Sequence, residues 1–257
     1  MFDLHGRVAV ITGAASGIGA ATARVFAEAG ADVALGWFPG DPHDCEPVRA
    51  AVLAAGRRAV VGEVDVREPA SVADLVGRCT DELGRVDIAV ANAGIARRVS
   101  LAELDDDAWN ETLDVDLTGA WRLFRSVLPV MKGAGYGRLL ATSSIAGTVS
   151  AWPQHPHYAA AKAGLVGLVQ TLAVEYGPHG ITANAVAPGV IETPQALDPV
   201  NSLGPEGVAA VGPQVPVRRV GQPEDIAYLF AYLASEEAGY VSGQLIVADG
   251  ARSAAGL

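Results

Sequence analysis

The most specific chemistry in this chain lies in two side chains four residues apart, Tyr158 and Lys162 in Tyr158-Ala159-Ala160-Ala161-Lys162. Alanine-rich sequence favours a helix, and positions four apart share a helix face, so phenol and ammonium are expected to be neighbours. A free phenol, with a pKa of about 10, is a poor base at neutral pH. A nearby cation favours the phenolate, and lowering the pKa by about 2–3 units takes about 3–4 kcal/mol of differential stabilisation. Such a pair suits a reaction in which an oxygen gains or loses a proton as alcohol and carbonyl interconvert. With 6 tyrosines and only two lysines (Lys132 and Lys162), chance would supply only about 0.05 such spacings, treating positions as independent. Every other basic side chain apart from histidine is arginine, whose planar guanidinium suits this task less well than a compact ammonium.

A second motif is Thr12-Gly13-Ala14-Ala15-Ser16-Gly17-Ile18-Gly19, directly after an apolar, β-branched run and at the start of a helical one. Glycine lets backbone approach a pyrophosphate closely, and a helix N-terminus offers free N–H groups and a positive dipole end. Gly13, Ser16, Gly17, Ile18 and Gly19 are therefore candidate cofactor contacts. The three residues between the first two glycines depart from the common dinucleotide fingerprint.

The elements needed to place these motifs are legible. Apolar runs at 8–12, 32–37, 59–64, 88–91, 137–142, 182–186 and 244–247 read as strands covered on both faces. Amphipathic stretches at 18–29, 72–83, 107–131 and 158–176 read as helices between them. The alternation predicts an α/β fold, a single-domain Rossmann-type doubly wound parallel sheet of about seven strands spanning 1–257. Residues 194–223, rich in Pro and Gly with at most a short helix near 205–211, are expected to form a lid over the ligand crevice.

Composition narrows the function classes. At 257 residues the chain can bury roughly 70–75% of its unfolded surface. A net charge of −11 without a basic cluster argues against nucleic acid and anionic membranes as partners. No run approaches the ~18 apolar residues of a membrane helix. Cys45 and Cys79 are too few for a disulfide framework, and residues 1–7 do not read as a signal peptide, so a cytoplasmic location is expected.

The glycine turn and the Tyr/Lys spacing together resemble the classical short-chain dehydrogenase/reductase family, over essentially residues 5–250. The resemblance implies an NAD- or NADP-dependent oxidoreductase acting on a secondary alcohol or carbonyl. It makes Ser144, in Ser144-Ile145-Ala146-Gly147, the catalytic serine rather than Ser143. Asn92-Ala93-Gly94 resembles an element lining the cofactor, and Asp65-Val66 the position that contacts adenine. Asn184-Ala185-Val186-Ala187-Pro188-Gly189-Val190-Ile191-Glu192-Thr193 is similar to the segment holding the nicotinamide carboxamide, with Pro188, Gly189, Ile191 and Thr193 at the cofactor and Ile191 and Thr193 as its carboxamide contacts.

Two positions depart from the family pattern. Asp116 stands where the family has an asparagine that anchors a water linking the lysine to solvent; an ionised carboxylate accepts but cannot donate. At the end of the second strand Gly36-Trp37-Phe38 offers neither the acid of NAD-preferring members nor a base for a 2′-phosphate. With Ser16 in place of a basic residue, and with Asp41 and Asp44 nearby, NAD is favoured slightly, and Trp37 becomes a candidate contact.

Gln154 and His155, before Tyr158, are expected to wall the substrate pocket, since loops at catalytic strand ends do so. His155 and His157 lack a third ligand, so no metal is expected. Arg97-Arg98 offers a contact for an anionic substrate, although paired arginines are usually only solvated. The substrate expected is a sugar, polyol or small hydroxy compound. The alternatives are a 3-oxoacyl-carrier-protein reductase, for which little basic docking surface is offered, and a non-catalytic dinucleotide sensor or scaffold. The apolar, glycine-bearing faces of 107–131 and 158–176 predict burial against a partner, and the resemblance implies a homotetramer or homodimer.

Overall fold

The computed structural model describes residues 2–256. Seven parallel strands form one sheet in the order β3-β2-β1-β4-β5-β6-β7. They are β1 (Val8–Thr12), β2 (Asp32–Trp37), β3 (Ala59–Glu63), β4 (Ile88–Ala91), β5 (Gly137–Thr142), β6 (Ile181–Pro188) and β7 (Leu245–Ala248). Each lies within two residues of its expected start and end.

Strand periodicity divides the core. Ala9 and Ile11 of β1, with Val33 and Leu35 of β2, face one hydrophobic layer. Val8 and Val10, with Ala34, face the other. Helices α1 (Gly17–Glu28) and α2 (Glu46–Ala54) cover the first face. Helix α3 (Pro69–Leu83) covers the second. Both faces of the central strands are thus dry, which is why those strands read as continuous apolar runs rather than alternating ones.

The long helix expected over 107–131 is interrupted. It runs as α4 (Asp106–Leu113), a π-helical turn (Asp114–Thr118) and α5 (Gly119–Ala134). Such wide turns cluster at functional sites, and this one carries Asp116. Next comes α6 (Pro156–Tyr176), holding Tyr158 and Lys162. The 194–223 segment is more helical than expected, with α7 (Pro194–Leu197) and α8 (Gly204–Val211). It is followed by α9 (Pro223–Ala234), started by a capping box between Gln222 and Asp225.

Sheet order reverses between β1 and β4, so the crevice beyond their carboxyl ends is where a doubly wound sheet takes its ligand. No helix among the described residues is long and apolar enough to cross a membrane. Cys45 and Cys79 are buried and unpaired, and burial raises their thiols to about 11 and about 12.

Candidate active site

A cleft of about 970 Å³ opens at the strand ends. Its wall brings together Gly13, Ser16, Gly17 and Ile18 after β1, Asn92, Ala93 and Gly94 after β4, and Ser144 after β5. Tyr158 and Lys162 reach it from α6, and Pro188, Gly189, Ile191 and Thr193 from beyond β6.

The glycine turn fits a dinucleotide pyrophosphate. Gly13 and Gly17 have φ of 65° and 50°, the left-handed region that favours glycine. A Cβ on Gly19 would lie 2.1 Å from the Gly13 carbonyl oxygen, so Gly19 shapes the turn from within rather than lining the cleft. Ser16 caps α1 without a side-chain bond and the first turn has no acid, which leaves its N–H groups for an anion. Asn92 braces the crevice: its Nδ2 donates to the Thr12 and Gly13 carbonyls at 3.3 and 3.1 Å, and its Oδ1 accepts from Thr142 Oγ1 at 3.0 Å.

Tyr158 and Lys162 are both buried, with Nζ 5.5 Å from the phenol ring centre. Lys162 Nζ donates to the Thr142 carbonyl at 3.1 Å and lies 3.1 Å from Asp116 Oδ2. Asp116 Oδ1 accepts from the Ile95 N–H at 2.8 Å. Gly94 leaves room for the pair, since a Cβ there would meet Lys162 Nζ at 3.1 Å and Asp116 Oδ2 at 3.2 Å. Ser143 Oγ donates to the Lys162 carbonyl at 2.8 Å and is thereby occupied. The Ser144 hydroxyl accepts from the Ala146 N–H at 3.1 Å, and Ser144 and Gln195 lie within reach of the phenol.

The electrostatics differ from the simple expectation of an acidified phenol. Burial raises the Tyr158 pKa; Lys162 pulls it down, Asp116 pushes it up, and the net shift is upward. Burial by itself would lower the Lys162 pKa, but Asp116 and Tyr158 outweigh it and hold the ammonium charged. The carboxylate thus takes up much of the charge that a family asparagine would leave facing the phenol.

Several expected contacts are placed elsewhere. Gln154 is exposed and His155 fully buried, and neither lines the cleft. His155 stacks on Trp152 at 3.6 Å, with its ring nitrogens 2.9 Å from the Pro153 carbonyl and 3.0 Å from that of Asn201. Packing inside the loop, not contact with substrate, therefore accounts for it, and Trp152 and Pro153 form the wall instead. Trp37 packs against the core beside α1. The Asp65 carboxylate is occupied by Arg67, and Val66 lies under Gly119, so these three are also off the cleft wall. In their place stand Phe38, Gly40, Asp41 and His43, from the loop after β2. Arg252 and Ser253, beyond β7, also line the cleft and were not anticipated. The available signal was their position past a strand's carboxyl end. No cluster of potential metal ligands occurs among the described residues.

Comparison with known proteins agrees with this geometry. The profile of the family described as enoyl-(acyl carrier protein) reductase matches residues 13–251. The chain is 42% identical over 249 residues to cis-4-hydroxycyclohexanecarboxylate dehydrogenase of Sinomonas cyclohexanicum, covering 96% of this chain and 97% of the relative. It is 36% identical over 248 residues to the 3-oxoacyl-[acyl-carrier-protein] reductase of Escherichia coli, covering 96% and 98%. Among solved structures, carveol dehydrogenase from Mycobacterium avium in complex with NAD superposes with a TM-score of 0.90 at 33% identity, over 97% and 98% of the two chains. A seven-stranded parallel sheet with a Tyr/Lys pair beside a glycine-turn cleft defines a nicotinamide-dependent oxidoreductase. The chain belongs to the short-chain dehydrogenase/reductase family.

Proposed function

We propose that this protein interconverts a small secondary alcohol and its ketone, with Tyr158 as the proton-transferring group and NAD as the preferred cofactor. The observation that carries the reading is the buried Tyr158–Lys162 pair in the same cleft as the glycine turn. When bound, the nicotinamide supplies or accepts the hydride. Lys162 holds positive charge beside the phenol, Ser144 orients the substrate oxygen, and Tyr158 Oη gives that oxygen a proton in reduction or takes one in oxidation. Asp116 and the Ile95 N–H fix the lysine, and the 194–223 segment acts as a lid, contributing Pro194, Gln195, Ser202 and Leu203 to the wall.

The lean to NAD rests on Asp41, whose carboxylate on the cleft wall would repel a 2′-phosphate. Arg67, stacked 5.7 Å from Phe38, is already paired with Asp65. A ring-borne secondary hydroxyl, as in the substrate named for the Sinomonas relative, suits a cleft that must also hold a dinucleotide. A carrier-linked acyl substrate has less support, because carriers are acidic and this chain has a net charge of −11. A silent sensor has less still, with serine, tyrosine and lysine all in place. Buried free thiols suit a reducing cytoplasm. Exposed Trp121 and Val130 on α5 and Val174 on α6 favour self-association through these helices. The reading is tested by following NADH at 340 nm with a panel of cyclic alcohols, polyols and hydroxy acids. Turnover of at least one cyclic or small secondary alcohol is expected; no turnover of any would overturn it.

A further inference from the structure

Most arginines in this chain are paired with an acid. Ten of the 16 lie within 4.0 Å of a carboxylate. Two that do not, Arg97 and Arg252, both line the active-site cleft. Arg97 follows Ala96, which packs on Tyr158, and its side chain makes one long bond, 3.4 Å, to the Ala96 carbonyl. Arg252 Nη1 is buried and has no hydrogen-bond partner among the described residues. Its position is fixed by a tight turn in which Asp249 accepts from the N–H groups of Ala251 and Ser253 at 2.9 and 2.8 Å. Gly189 packs against Asp249 on one side of that turn, and Gly250 against Val215 and Val217 of the lid segment on the other. The guanidinium is thus anchored where the nicotinamide-side segment meets the lid.

Burying a guanidinium donor without an acceptor is costly, so an unpaired one on a ligand cleft indicates that the ligand brings the acceptor. The surroundings leave few other sources. Asp198 is on the same wall and feels Arg97, but its carboxylate is taken by the Val200 and Asn201 N–H groups and the Asn201 amide. Asp116 is committed to Lys162 and Ile95. His157, close enough to feel Arg97, is cationic or neutral and supplies no anion. We propose that Arg97 and Arg252 form an anion-recognition pole in the substrate half of the cleft, and that the alcohol this enzyme takes carries a carboxylate. The proposal deepens the functional reading above and rests on it for the reacting hydroxyl, but not for the anion.

The phosphates of the dinucleotide are the other anions that could meet these arginines, and the test separates the two. Binding of cyclohexanecarboxylate and of the neutral cyclohexanecarboxamide to the enzyme–NADH complex is measured by calorimetry. In parallel, kcat and KM are measured for 4-hydroxycyclohexanecarboxylate and its amide. Charge-assisted bonds from guanidinium to carboxylate predict about 10–100-fold tighter binding of the acid, and a KM lower by a similar factor. In Arg97→Gln and Arg252→Gln the preference for acid over amide falls toward unity, mainly through KM, while the lysine variants at either site retain part of it. Equal binding of acid and amide by the wild-type protein, which needs no variant, overturns the proposal. So does a loss of NADH affinity in both glutamine variants with the acid preference intact, which assigns the arginines to the cofactor. Preferential binding of the acid without turnover of any alcohol leaves the pole standing and removes the functional reading instead.

Discussion

Replacing Asp116 by asparagine isolates the feature in which this site departs most from its family. The carboxylate lies 3.1 Å from Lys162 Nζ, which lies 5.5 Å from the Tyr158 ring centre, so the carboxylate oxygen and that ring centre are no more than about 8.6 Å apart, the sum of those separations. At an effective dielectric constant of ~20, a unit negative charge at that distance disfavours the phenolate by about 2 kcal/mol. That corresponds to about 1.4 units of pKa. Asparagine keeps one carbonyl acceptor, for the Ile95 N–H, and puts a neutral amide in place of the charge that faces Lys162. Phenolate should therefore form at lower pH in Asp116→Asn, and the acidic limb of kcat/KM for alcohol oxidation should move down by about 1–1.5 units. The limit on reduction, which needs the protonated phenol, should move the same way, and kcat at its optimum should change by no more than the roughly 30-fold that this Coulombic figure corresponds to. An absorbance titration of the cofactor-free protein near 295 nm, with Tyr158→Phe as the blank, reads the same ionisation without turnover. An unmoved limb and an unmoved titration would refute the reasoning, as would a shift to higher pH.

Gly94→Ala should push a methyl group against both Lys162 Nζ and Asp116 Oδ2, lowering kcat by about 10²-fold through misplacement of the pair while thermal melting changes little. Steady-state kinetics beside a melting curve checks this; an unaffected kcat contradicts the tight packing. NADH should give a higher kcat/KM than NADPH because of Asp41, and a strong NADPH preference would remove that reading. Sedimentation equilibrium should find a homodimer or homotetramer, and a monomer at micromolar concentration would exclude association through α5 and α6.

The sheet was legible because strands buried on both faces must be apolar throughout. Helix α2 escaped detection because only Val48 and Val52 of its nine residues are buried, too short a stripe to stand out as a helical period. The π-turn at Asp114–Thr118 escaped because one extra residue per turn leaves no mark on an otherwise helical pattern. In the site, spacing within one helix found Tyr158 and Lys162, the strand–turn–helix context found the glycine turn, and the family resemblance found Asn92. What sequence could not give was competition among neighbours. Nothing local says that Ser143 bonds the Lys162 carbonyl and so frees Ser144, or that Arg67 occupies Asp65. His155 looked like a pocket residue by position, yet stacking on Trp152 and two carbonyls hold it inside the loop. Arg252 depends on a turn that joins β7 to the lid, a contact set by tertiary packing.

The measurement that bears most directly on the mechanism pairs turnover with cofactor binding in Tyr158→Phe. Removing one hydroxyl should lower kcat by about 10²–10⁴-fold, the usual contribution of a positioned acid or base, while NADH titrated by fluorescence binds as it does to the wild-type protein. A phenylalanine variant that still turns over at a wild-type rate would show that the proton travels by another route.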